Sequence, residues 1–197
     1  MKNIVLASKS TDRSELLKNA KIPFEVIFTT VNEEKYKQKI NDPIKLVIEL
    51  AKAKALDAKE KLRTNTIIIA ADTIIELNGE IIGKAENETE AFNLLKKLIN
   101  KSHNLITGIA ITETNNPKIM VDYSITMVEF LDLNDKEIWN YIKTEEWKGR
   151  AGAYSIKDKA SLFIKKIKGS PTNVIGLPMH RIFEILKKEF DYDLVFC

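Results

Sequence analysis

Four consecutive apolar residues, IVLA at 4–7, run without a break into Ser8, Lys9, Ser10, Thr11, Asp12 and Arg13, and then into the pair Leu16 and Leu17. The apolar run reads as a buried strand, and Asp12 with Glu15 at capping-box spacing predicts a helix that starts near Asp12. A second strand is expected over 23–29. The helical pattern is clearest from Asp42 and Pro43 to about Arg63: Asp42 is suited to cap, Pro43 to the first turn, and Ile44, Val47, Ile48, Ala51 and Ala55 recur at helical spacing.

TIIIAADTIIEL at 66–77, then Asn78-Gly79, then EIIG, predicts a strand entering a hairpin, because Asn-Gly supplies the positive backbone angles of a type I′ turn. A helix over 87–101 follows, then strand patterns over 103–113 and 118–131 joined at Asn115-Asn116-Pro117, then a helix over 134–144. The tail holds AGAYSI, a strand around 161–167, the loop GSPTNVIG, a helix over 178–190 and a short last strand. Alternating strands and helices with hairpins among them predict an α/β fold built on a mixed sheet. At 197 residues, one domain is expected.

Composition narrows the function classes. With 44% hydrophobic and 30% charged residues, seven Gly and five Pro, the chain falls among soluble globular proteins. The net charge of +3, from 31 basic and 28 acidic residues, is too small to argue for a nucleic-acid polymer as partner. Cys197 is the only cysteine, so an internal disulfide and a cysteine metal site are excluded, which fits a reducing compartment. No apolar run approaches the roughly 20 residues of a membrane span, and Met1-Lys2 leads directly into a strand, so the expectation is a cytoplasmic protein without a membrane partner.

Several stretches carry chemistry. Ser8 and Ser10 offer hydroxyls and amides at a strand-to-helix turn where Arg13 adds a guanidinium, a phosphate cradle in outline; alternatively Ser10 or Asp12 only caps a helix and Arg13 is solvated. Asp72 follows the apolar run 67–71, where a buried carboxylate needs a partner; it reads either as a cleft residue at a strand end or as a surface acid. Lys84 after Gly83 has the reach for a phosphate, although Ala85 and the spacing rule out a P-loop. Lys52 and Lys54 lie on the alanine-rich helix. Glu33 and Glu34 follow the second strand and either hold a hard cation through oxygen or form a solvated turn. His103 and His180 have no ligand spacing and read as structural.

Taken together, these stretches resemble the Maf family of nucleoside triphosphate pyrophosphatases over nearly the whole chain. LASKSTDRSELL resembles the family's LASxSPRRxELL, Asn32-Glu33 its Asp-Glu, LAKAKA its LAxxKA, and AADTII its ADT segment. GKAENETEA resembles its Gly-Lys-Pro stretch, SHNLITG its SHxVxTG, and AGAYSIK and GSPTNVIGLPM its AGxYxIQ and GSxxNVxGLP. The resemblance implies an elongated mixed sheet with flanking helices and two lobes around a cleft. It also implies hydrolysis of a nucleoside triphosphate to monophosphate and pyrophosphate with a divalent cation, Mg²⁺ or Mn²⁺, and a homodimer. By the same resemblance Asp72 is the catalytic carboxylate, Ser8, Arg13, Lys54 and Lys84 hold the phosphates, and Glu33 binds metal or water; Ser10 joins the phosphate set from its place in the strand-to-helix turn, and Asp72 is the second candidate metal ligand.

Thr11-Asp12 stands where the family usually has Pro-Arg, Lys157 where it has glutamine, and Ala85 where it has proline. Lys157 is therefore a candidate to offset the lost arginine at the phosphates. The AGAYSI form is similar to the branch acting on dTTP and UTP. Two alternatives stay open: an inosine or xanthosine triphosphate pyrophosphatase on a related fold, and a nucleotide-binding regulator of septum formation.

Overall fold

The computed structural model describes residues 2–195. Among the described residues seven strands, numbered in chain order as β1 (Asn3–Ala7), β2 (Glu25–Ile27), β3 (Thr66–Leu77), β4 (Glu80–Ile82), β5 (Ser102–Glu113), β6 (Asn116–Phe130) and β7 (Ile164–Lys168), form one mixed sheet in the order β2-β1-β3-β5-β6-β7, with β4 paired to β3, so the predicted class holds. The chain divides into two compact units, the first made of residues up to Asp72, 107–124 and 176 onward, the second of 73–106 and 125–175.

In the first unit β1 (Asn3–Ala7) pairs in parallel with both β2 (Glu25–Ile27) and β3 (Thr66–Leu77). Strand alternation sorts β3 into two faces. Ile67, Ile69 and Ala71 pack with Leu17 of α1 (Thr11–Asn19) and with Ile182 and Leu186 of α7 (Met179–Glu189). Ile68 and Ala70 pack with Ala51, Ala55 and Ala58 of α3 (Pro43–Lys61). Both faces are covered, which is why β3 reads as a nearly continuous apolar run. As the sequence predicts, Asp42 caps α3, its Oδ1 accepting from Lys45 N at 2.7 Å, with Pro43 in the first turn.

The alanine stripe lets α3 lie close to the sheet, and Gly108 of β5 (Ser102–Glu113) takes the closest approach. A Cβ there would strike the Val47 carbonyl and stand 2.7 Å from Ile48 N, both backbone atoms of α3 that cannot swing aside.

The second unit contains the hairpin from β3 into β4 (Glu80–Ile82), with Asn78 and Gly79 at φ 52° and 85° as a type I′ turn requires. It also holds α4 (Glu88–Leu98), α5 (Asp135–Ile142) and the far part of β6 (Asn116–Phe130), from residue 125 on, which pairs antiparallel with β7 (Ile164–Lys168). His103 is structural here, as expected. Its ring meets Phe130 and Tyr154 edge-on at 4.9 and 5.5 Å, and Nε2 shares a 2.8 Å hydrogen bond with the Tyr154 hydroxyl.

Several boundaries differ from the sequence expectation. Ser10, not Asp12, caps α1, because its extended backbone brings Oγ within 3.4 Å of Arg13 N. The second strand shrinks to three residues, and α2 (Glu33–Lys37) forms where only a turn was foreseen. α4 stops at Leu98, with Asn100 at φ 57°, and α5 at Ile142. The strand foreseen at 161–167 begins only at Ile164, after a 3₁₀ turn over Lys159–Phe163, and a short helix α6 (Pro171–Ile175) occupies the foreseen loop. Residues 191–195 form no strand; Cys197 lies outside the described residues. Among the described residues no helix is long and apolar enough to cross a membrane.

Two predictions follow from this packing. Gly108→Ala should lower the unfolding free energy by about 2–3 kcal/mol, the upper part of the overpacking range, measured by urea denaturation. Burial pushes the His103 imidazole from its ordinary 6.5 down to about 4. The unfolded chain then binds a proton that the folded chain refuses, so His103 leaves stability intact above about pH 6.5 and erodes it as pH falls towards 4, by about 3 kcal/mol in all. His103→Gln should lose that much less stability than the parent across the same window in urea titrations.

Candidate active site

β3 delivers Asp72 through its alternation. Ile68 and Ala70 face α3, so Asp72, two residues further on, faces it as well. It lies within β3, not at its end as the sequence suggested, and is 8% exposed. On α3, Lys54 falls in the stripe Ala51, Ala55, Ala58 and is also 8% exposed. Its ammonium lies 2.6 Å from Asp72 Oδ1 and 2.7 Å from Glu33 Oε1. Each buried charge thereby has the partner that burial demands.

Glu33 is the first residue of α2, whose cap is Asn32, with Oδ1 accepting from Lys35 N at 3.3 Å. One helical turn further, Lys37 pairs with Glu34 at 2.6 Å. That hydrogen bond raises the Lys37 ammonium above its ordinary range against the opposing effect of burial, and Glu34, Glu33 and Asp72 add to the rise electrostatically. Lys37 was missed in the sequence because only the short α2 turns it towards the acidic pair.

The β1–α1 turn is knotted by Arg13. Its Nε donates to the Gly176 carbonyl at 2.7 Å, and its Nη1 to the Ala71 carbonyl at 2.9 Å and Ser8 Oγ at 3.2 Å. Ser8 Oγ also accepts from Ser10 N at 3.2 Å. Burial lowers the Arg13 guanidinium from its ordinary value, while Asp72, Glu33 and Asp12 pull in the other direction, which places all three acids within electrostatic reach. The alternative in which Arg13 is merely solvated is therefore wrong, and Ser10 does cap α1.

Ser8, Ser10, Arg13, Glu33, Lys54 and Asp72 thus belong to the first unit. Lys84 and Lys157 belong to the second, both exposed: Lys84 bridges Ala151 through its backbone, and Lys157 N donates to Ser155 Oγ at 3.2 Å. Gly108 and the Gly176 carbonyl are contributors that residue types did not announce. Among the described residues no group of three or more His, Cys, Asp or Glu is placed to hold a metal ion. Glu33 and Asp72, two hard oxygen donors converging on one ammonium, remain the pair able to hold a divalent cation.

Residues 3–189 match the protein family described as Maf-like protein. The dTTP/UTP pyrophosphatase of Alkaliphilus oremlandii is 43% identical over 195 residues, covering 99% of this chain and all of that protein. The dTTP/UTP pyrophosphatase of Caldanaerobacter subterraneus subsp. tengcongensis is 43% identical over 187 residues, 95% of this chain and 89% of that one. Among solved structures, the Staphylococcus aureus Ham1 protein aligns over 66% of this chain and 73% of that chain, at 23% identity and a TM-score of 0.44.

The ion triad makes a stability prediction that is independent of turnover. Lys54→Met keeps the stem but strands the Asp72 carboxylate, and should cost about 3 kcal/mol in urea denaturation. Adding Asp72→Asn should return part of that loss, since the group left behind is then neutral.

Proposed function

Because the chain belongs to the Maf-like protein family, we propose that it is a nucleoside triphosphate pyrophosphatase acting on dTTP and UTP, releasing the monophosphate and pyrophosphate. The observation that carries this reading is the Lys54 ammonium held at 2.6 and 2.7 Å by Asp72 and Glu33 in the unit that also holds Ser8 and Arg13. The names of the relatives support the pyrimidine preference.

Phosphoryl transfer asks a protein for placement and charge compensation more than for covalent chemistry. Asp72 orients a water and accepts its proton as the water oxygen bonds to the α-phosphorus. The bond from that phosphorus to the bridging oxygen breaks, and pyrophosphate leaves with the electron pair. Lys54 has three N–H donors; two face the carboxylates, and the third serves a phosphate oxygen. The Ser8 hydroxyl accepts from Arg13 and Ser10 and so directs its own proton to the phosphates. Arg13 fixes that hydroxyl and, through the Ala71 carbonyl, the strand residue next to Asp72.

The acids present fit a divalent cation. Two carboxylates with substrate phosphate and water as remaining ligands is the usual protein contribution to a Mg²⁺ site. Glu33 and Asp72 would hold the ion, which when bound would supply neutralisation of phosphate charge.

Purified protein with Mg²⁺ or Mn²⁺ and a panel of dTTP, UTP, ITP, XTP and 7-methyl-GTP tests the reading. The expected result is monophosphate plus pyrophosphate, fastest with dTTP and UTP, and a loss of at least about a hundredfold in kcat for Asp72→Asn. Release of orthophosphate and diphosphate would place the attack elsewhere, a purine preference would transfer the substrate assignment, and full activity of Asp72→Asn would remove that carboxylate from the chemistry.

A further inference from the structure

The segment that carries Glu33 has almost nothing apolar to hold it. β2 is a three-residue strand at the end of the sheet order, Phe28 is 63% exposed, and α2 buries no residue. Hydrophobic packing, the usual source of fixed geometry, is thin here and comes mainly from the partly buried Ile27 against the alanine cluster of α3 and the sheet. A polar clamp takes its place. Asp57 of α3 accepts twice from one residue of the connecting loop, from Thr30 N at 3.2 Å through Oδ2 and from Thr30 Oγ1 at 2.7 Å through Oδ1. Lys61 closes the clamp, its ammonium donating to Asp57 Oδ2 at 2.6 Å, to the Phe28 carbonyl at 3.2 Å and to Thr30 Oγ1 at 3.4 Å.

The clamp and the triad share one helix. Asp57 and Lys61 stand three and seven residues beyond Lys54 on α3, a spacing that keeps all three on one side of the helix. Thr30, in turn, is three residues before Glu33. The same side of α3 therefore presents Lys54 to the carboxylates and grips the loop that brings one of those carboxylates in.

We infer that Asp57 is a positioning residue: by holding Thr30 it sets where the Glu33 carboxylate stands relative to Lys54 and Asp72, and through Glu33 it governs cation binding and turnover. This rests on the proposed function of the site. The lowered carboxyl of Asp57 agrees with the geometry, since hydrogen bonds from Lys61 and Thr30 outweigh the burial that acts first in the opposite direction.

The test is a double-mutant cycle on the full chain, reading kcat and KM with dTTP and, separately, Mn²⁺ affinity of the nucleotide-free protein by electron paramagnetic resonance titration. Asp57→Ala should weaken Mn²⁺ binding and lower kcat/KM by about tenfold each, the lower end of what loss of an outer partner of a metal ligand costs. In a Glu33→Gln background the same substitution should cost nothing more, because its route of action is already cut. Asp57→Asn, which keeps an acceptor for the Thr30 hydroxyl, should recover part of the loss, and Thr30→Val should reproduce it if Asp57→Ala does not fold. Equal losses in both backgrounds, or Asp57→Ala within twofold of the parent, would overturn the positioning role while leaving an active enzyme. A parent protein that neither turns over nucleotide nor binds Mn²⁺ would sink the reading of the site, and the inference with it.

Discussion

An ammonium group that is nearly out of water must be answered by negative charge at hydrogen-bond distance, and in this chain Lys54 is answered twice, by Asp72 and by Glu33. The three groups come from three separate elements: a central strand, a long helix and a single-turn helix. Displacing Lys54 takes the ammonium away from the buried Asp72, and displacing either acid leaves that ammonium with one carboxylate instead of two. The triad therefore acts as a gauge for the first unit, requiring the distance from α3 to β3 and the placement of α2 to be right together.

That requirement explains the residue types around it. Where α3 faces the sheet it shows alanines, at 51, 55 and 58, and the sheet answers with Ala7, Ala70 and Ala110. Small side chains on both surfaces bring helix and sheet close together, and Gly108 removes the last Cβ that would keep them apart. Larger apolar residues would bury more surface but would lift α3 away. Much of the heavier core instead lies on the opposite face, where Leu17, Ile182, Leu186 and Phe190 pack against Ile4, Leu6, Ile67 and Ile69. One face of the sheet is built for bulk and the other for proximity.

The difference between what the sequence revealed and what it hid follows the same physics. Long periodic elements were legible: the apolar run of β3, the capped α3 and the Asn-Gly hairpin are each specified by their own residues. So were the chemical groups at Ser8, Arg13, Glu33, Lys54 and Asp72, since polar residues beside apolar runs draw attention. Short elements were not. α2 has no buried face and hence no apolar period to read, and the 3₁₀ turn before β7 and the five-residue α6 are too brief to carry one. Partnerships were hidden too. That Arg13 would spend its donors on the Ala71 and Gly176 carbonyls depends on contacts 58 and 163 residues away along the chain, which no local pattern encodes.

Arg13 also bears on the one replacement in the opening motif that changes the sign of a charge. Asp12 sits in the first turn of α1, where a carboxylate favours the positive end of the helix dipole, and it supports the buried charge of its neighbour Arg13. The acid at this position thus stabilises what is already folded, whereas a second guanidinium, usual in the family it resembles, would add positive charge beside one that burial already disfavours. The consequence falls on anything polyanionic that approaches. With Asp12, Glu33 and Asp72 all within electrostatic reach of Arg13, the acids offset much of the charge of Arg13 and Lys54 before any phosphate arrives. On the proposed function, these basic residues on their own leave a triphosphate largely uncompensated, and two of the three carboxylates that make the deficit, Glu33 and Asp72, are also the oxygen donors fit to hold the divalent ion that would remove it.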